Sequence, residues 1–119
     1  MLSDNELRAL IEGFLGDDLE AFDAVAWEMP RNCPEDCWRL LEVARRGGYS
    51  DEDLAVISAG PFEDLMGYHG ADYIEKVEAA ARIDERMRYL LGTVWRGKIV
   101  DAIWARLLSL RSELGIEQY

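Results

Sequence analysis

Helix starts and stops recur along this 119-residue chain at a spacing that leaves room for short helices and little else. Ser3 followed by Glu6 is a capping box, and Leu7, Leu10, Ile11 and Phe14 then recur at helical spacing until Gly16 closes the segment. Asp17 and Asp18 put two acids at the positive end of a second helix, expected to bury Leu19, Phe22, Val25 and Met29 and to stop at Pro30. Pro34, with Glu35 and Asp36 in its first turn, opens a third helix that turns Trp38 and Leu41 inward and ends at Gly47-Gly48. Ser50-Asp51-Glu52-Asp53 is another N-cap with an acidic first turn, followed by inward-facing Leu54 and Ile57.

Gly60 is expected to terminate that helix in a left-handed conformation, and Pro61 to start a short one through Phe62, Leu65 and Met66. After Gly67 to Gly70, a helix should carry Ile74, Val77 and Ala81 on one face, and Asp84 should cap the next, with Met87, Leu90 and Leu91. From about Lys98 to Leu114, Ile99/Val100, Ile103/Trp104 and Leu107/Leu108 form an amphipathic stripe two residues wide.

No strand pattern competes with these helices, and no low-complexity tract or linker divides the chain. The expectation is one domain over residues 1–119, all-α, a compact bundle of six to eight short helices in antiparallel pairs, with a short α-solenoid-like stack as its variant. Half of the residues are apolar, with four Trp and five Tyr, so a core forms without disulfides or metal. No apolar run is long enough to span a bilayer. The first residues are acidic and lack a basic region followed by an apolar run, which makes the cytoplasm the expected compartment.

The charge is unevenly placed. Residues 1–64 hold 16 acidic and 5 basic side chains, and residues 65–119 hold 8 of each, so the whole net charge of −11 belongs to the first half. Phosphate backbones need Lys and Arg to displace counterions, so direct nucleic-acid binding is disfavoured there. A basic protein partner fits the sign, and the residues expected to meet it are Asp17, Asp18, Glu20, Asp51, Glu52 and Asp53. The bland alternative is an acidic surface that only keeps the protein soluble.

Gly60-Pro61-Phe62-Glu63-Asp64-Leu65-Met66, His69-Gly70, Ile74, Arg86, Leu90-Leu91 and Val94-Trp95 together resemble a family of small bacterial proteins of unknown function. Its members carry a "GPLEDLL … HG … L-x-x-VW" pattern, and the resemblance spans roughly residues 38–96, with Phe62 and Met66 standing where leucines are usual. It implies an all-helical fold and a bacterial source, and it transfers no catalytic residue. Physically, most of this block reads as helix punctuation, with Val94-Trp95 expected to dock on a neighbouring helix as an aromatic anchor.

His69 is the one candidate for chemistry in that block. With Glu63, Asp64 or Asp72 it can form a His–carboxylate pair acting as a general base, although a lone His in a turn is more often a hydrogen-bonding residue. No nucleophile elbow, P-loop or dinucleotide fingerprint accompanies it. Cys33 and Cys37 are too few for a closed zinc site with a single His in the chain, and two reduced, partly buried thiols are expected. No cofactor or metal is expected.

Three functions follow from these features. The preferred one is a non-enzymatic protein-interaction domain, immunity- or inhibitor-like, binding a basic partner through its acidic N-terminal half. The second is a homodimer built on the C-terminal amphipathic stripe. The third is an enzyme using His69 with Glu63 and Asp64.

Overall fold

The computed structural model describes residues 1–117 and is all-α. Helix α1 (Asp4–Leu15) starts on the expected capping box: the Ser3 hydroxyl accepts from the Glu6 amide, and the Glu6 carboxylate accepts from the Ser3 amide. Leu7, Ile11 and Phe14 are its buried face. Helix α2 (Leu19–Asp23) starts on Asp18, whose carboxylate accepts from the Glu20 and Ala21 amides.

Pro30 does not stop this helix. The chain widens into a π-helical turn, Ala24–Glu28, in which the Met29 amide reaches back to the Ala24 carbonyl, and continues as α3 (Met29–Asn32). A proline inside a regular helix clashes with the carbonyl four residues back, and the wider turn relieves that clash. The same device recurs at Pro61. Helix α5 (Asp51–Ile57) runs through a second π turn, Ser58–Phe62, straight into α6 (Glu63–Ile83). Gly60 is therefore not a left-handed terminator; the glycines with positive φ are Gly48, Gly97 and Gly115.

Between these rods lies α4 (Pro34–Arg46), opened by Pro34, with Glu35 and Asp36 in its first turn and Arg45 and Arg46 in its last, where the dipole favours each charge. After α6, Asp84 caps α7 (Glu85–Thr93), and α8 (Asp101–Leu114) closes the bundle, ending on Gly115 at φ +67°. Eight α-segments thus make six continuous rods among the described residues.

The rod from residue 51 to 83 organises the packing. A straight α-helix of that length measures about 50 Å, whereas the longest dimension of the molecule is 37 Å. The rod must bend, and it does so at the π turn and again at His69, whose φ −134° and ψ 23° are not helical. Phe62, Leu65, Met66, Ile74 and Val77 of this rod meet Leu7, Ile11, Leu40, Leu41, Leu90 and Leu107 in one core. At the second bend Gly70 lets α8 come close: a Cβ there would stand 2.9 Å from Ile103 Cγ2.

Three side chains depart from their expected burial. Leu19 faces outward and Phe22 is left part-exposed, stacked on the Phe14 ring of α1, because Ala21, Val25 and Met29 take the core row instead. Trp95 is 64 % exposed, and its neighbour Val94 alone fills the core. Along α8 and the two residues that lead into it, Ile99, Ile103 and Leu107 are buried in their own chain, whereas Val100 and Leu108 are exposed and Trp104 is half-buried. The two-residue stripe is thus split lengthwise, one half inside and one half out.

Candidate functional site

His69 sits at the bend of α6, where a departure from helical geometry turns its ring toward α3. Its Nε2 lies 2.8 Å from the Arg31 carbonyl, so the Nε2–H tautomer donates to a carbonyl of the last turn of α3. Such carbonyls lack an intrahelical partner, and the imidazole supplies one. Among the described residues, Glu63, Asp64 and Asp72 make neither a hydrogen bond nor an ion pair with His69. The three acids and the histidine share one helix without forming one constellation. His69→Leu should cost about 1 kcal/mol, read as a lower denaturant midpoint at unchanged slope.

Glu63 and Asp64 occupy the first turn of α6, half-buried against the segment joining α7 to α8. A Cβ on Gly97 would stand 2.6 Å from Glu63 Oε2, which shows how closely that segment covers the carboxylate. Burial pushes both carboxyls above their ordinary range, and the Asp64 charge adds to the effect on Glu63. Arg31 and Lys98 pull Asp64 back in part. The folded state therefore holds these protons more tightly than the unfolded chain does. Their contribution to stability is fullest below the ordinary carboxylate pKa and declines as pH rises through the folded values. Glu63→Gln should raise the melting temperature at pH 7, and the gain should vanish near pH 4, where the parent is already protonated.

Arg31 lies at the centre of an aromatic cluster that sequence reasoning did not anticipate. Its guanidinium stands 4.2 Å from the Trp27 ring centroid and 4.6 Å from that of Tyr68, and Lys98 approaches Tyr68 from α8's leading segment. Trp27 belongs to the first π turn and Tyr68 adjoins the bend, so the two helical irregularities meet the surface together. Trp27 and Arg31 are four residues apart on one rod, whereas Tyr68 and Lys98 lie 37 and 67 residues beyond Arg31, and no local pattern signals that they join the pair.

The six acids proposed from charge alone fall into two groups. Asp17, Asp18 and Glu20 line the turn from α1 to α2, and Asp51, Glu52 and Asp53 form the first turn of α5 under the Ser50 cap. Asp18 doubles as the cap of α2. Tyr49 lies beside the second group: burial raises its phenol above the ordinary range, Arg8 pulls it back in part, and Glu12 and Asp53 add to the rise. Cys33 and Cys37 are both free thiols, and burial pushes the Cys37 thiol well up. A cleft of about 600 Å³ opens between Asp51, Leu54, Arg86 and Leu114, and neither His69 nor Glu63 nor Asp64 lines it.

Fold and surface together define a small acidic helical bundle whose lone histidine serves as a helix cap. The chain belongs to a family of unknown function (DUF6869), matched over residues 17–114. That match contains the block from 38 to 96 and extends beyond it on both sides. No curated protein and no solved structure matches the chain.

Proposed function

We propose that this chain is a non-catalytic protein-interaction domain, immunity- or inhibitor-like, in which the acidic N-terminal half docks a basic protein. The setting it fits is a bacterial cytoplasm, with residues 1–119 acting as one helical domain. No helix among the described residues is long and apolar enough to cross a membrane.

One observation carries the reading. Asp17, Asp18, Glu20, Asp51, Glu52 and Asp53 make no ion pair among the described residues, whereas Asp84, Glu78 and Glu113 pair with Arg45, Arg106 and Arg82. Helix N-termini keep the unpaired acids tolerable, and their field extends outward to attract positive charge. The non-catalytic part rests on His69, whose Nε2 is taken by the Arg31 carbonyl.

The test is titration with labelled oligolysine at rising salt. Binding should weaken steeply with salt, and Asp51→Asn, Glu52→Gln and Asp53→Asn together should weaken it further at low salt. Absent or salt-independent binding would sink the proposal. A second reading, the homodimer, is favoured by the exposed half of the α8 stripe, Val100 with Leu108 and half-buried Trp104. Sedimentation as a monomer at high concentration would remove it.

A further inference from the structure

We infer that the docking face for a basic partner is the outer side of the rod over residues 19–32, with Leu19 and Trp27 as apolar anchors inside a carboxylate rim. This deepens the proposal above and rests on it.

The argument begins with the π turn. Ala21, Val25 and Met29 are spaced by four residues and are all buried. Four-residue steps in a regular helix drift about 40° each around the axis, and the wider turn removes much of that drift over Ala24–Glu28. The buried row therefore stays in the core, and the row two residues before it, Leu19, Asp23 and Trp27, stays on the opposite side. Leu19 is 79 % exposed and Trp27 57 %.

Two large apolar side chains held outward by the same register that fills the core are not strays of a poorly packed helix. Trp is a residue type that dominates binding energy at protein interfaces, and Leu19, eight residues before it on the same side, adds apolar area. Arg31 continues the row, donating to the Trp27 carbonyl at 3.1 Å and covering one part of the ring. It holds the indole in place before any partner arrives, which lowers the ordering cost of binding.

Charge decides the occupant. Glu20, Asp23 and Glu28 flank the two anchors, and none of them makes an ion pair among the described residues; Glu28 only accepts from the Asn32 amide. Arg31 is the sole cation between Arg8 and Arg39, and it is committed to Trp27 and Tyr68. A second copy of this chain, itself carrying −11, would bring like charge to the face. The complementary surface is a protein patch with an apolar hollow ringed by Lys and Arg.

The experiment compares two probes, an amphipathic helical peptide of leucine and lysine and plain oligolysine, by amide NMR and fluorescence titration. The leucine–lysine peptide should shift amides over residues 17–31, and Leu19→Ser with Trp27→Ala should weaken it at least tenfold while leaving oligolysine binding unchanged. Ile83→Ser, altering an exposed apolar residue on another rod, should change neither. Unchanged melting temperature in each variant separates lost docking from lost folding. Shifts centred on Asp51–Asp53 or on the cleft, or no effect of the double variant, overturn the inference and leave the acidic-half proposal standing. Self-association in place of peptide binding also overturns it. No salt-sensitive binding of either peptide removes the proposal itself.

Discussion

Phe62→Ala should lower the unfolding free energy by about 4 kcal/mol, the largest effect expected of a single substitution in this chain. Phe62 is fully buried and leads the fully buried side chains by volume. It closes the second π turn, which packs against α4, α6 and α7. Truncation leaves a cavity that a helix pinned on both sides cannot close. For a chain of this length the loss corresponds to roughly 15 °C in melting temperature. Phe62→Leu should cost far less, about 1 kcal/mol, in keeping with the leucine that the resembling pattern has there. A Phe62→Ala protein within about 1 kcal/mol of the parent would mean that the wide turn relaxes to a regular one.

Arg111→Met should cost about 3 kcal/mol, although it removes a charge from the interior. Arg111 is only 5 % exposed, and its Nε and Nη2 donate at 2.8 Å each to the carbonyls of Leu91 and Val94. The guanidinium thus serves the end of α7 and ties α8 to it, with the Trp104 ring alongside. Burial lowers its pKa, a sign of the desolvation that methionine would relieve. Two buried carbonyls left without donors outweigh that relief. Arg111→Lys should not restore the parent, because one ammonium cannot span both acceptors as a planar fork does. Equal stability of the Met variant, by chemical denaturation, would show that desolvation and hydrogen bonding balance here.

The parts of this fold that the sequence made legible are those written in adjacent residues. Ser3 with Glu6, Ser50 and Asp84 all cap where their side chains suggested, and Asp18, expected only as an acid at the positive end of α2, caps that helix as well, because a cap needs only a polar atom within reach of the next turn. Pro30 and Gly60-Pro61 misled for the same reason. Local chemistry favours a break at each, but burial of Met29, Pro61 and Phe62 holds the rods continuous. Leu19 and Phe22 looked like core at helical spacing, but Ala21, Val25 and Met29, spaced across a π turn that no composition signals, take the core row.

The candidate site divides along the same line. Its acids were visible as an excess of charge over residues 1–64. The bond from His69 to Arg31, 38 residues away, was not, since it depends on a bend in one helix meeting the end of another. Trp95, part of the resembling block, is mostly exposed despite its apolar neighbour, and nothing in its surroundings explains why an indole stands there.

A π turn is a helix that has kept one residue more than its hydrogen bonds require. The chain therefore carries, inside one turn, a spare residue that leaves the faces on either side in register. Deleting Ala26 would return Ala24–Glu28 to regular α geometry, and Ala21 and Met29 would then stand seven steps apart, which in a regular helix is within about 20° of the same face. An in-frame loss of one codon there would leave Leu19 on the side of Trp27 and Ala21 in line with Met29, since the wide turn already absorbs the residue that is lost. At this turn the helix can shed a residue without changing which faces look outward, whereas the same loss in a regular turn would change them.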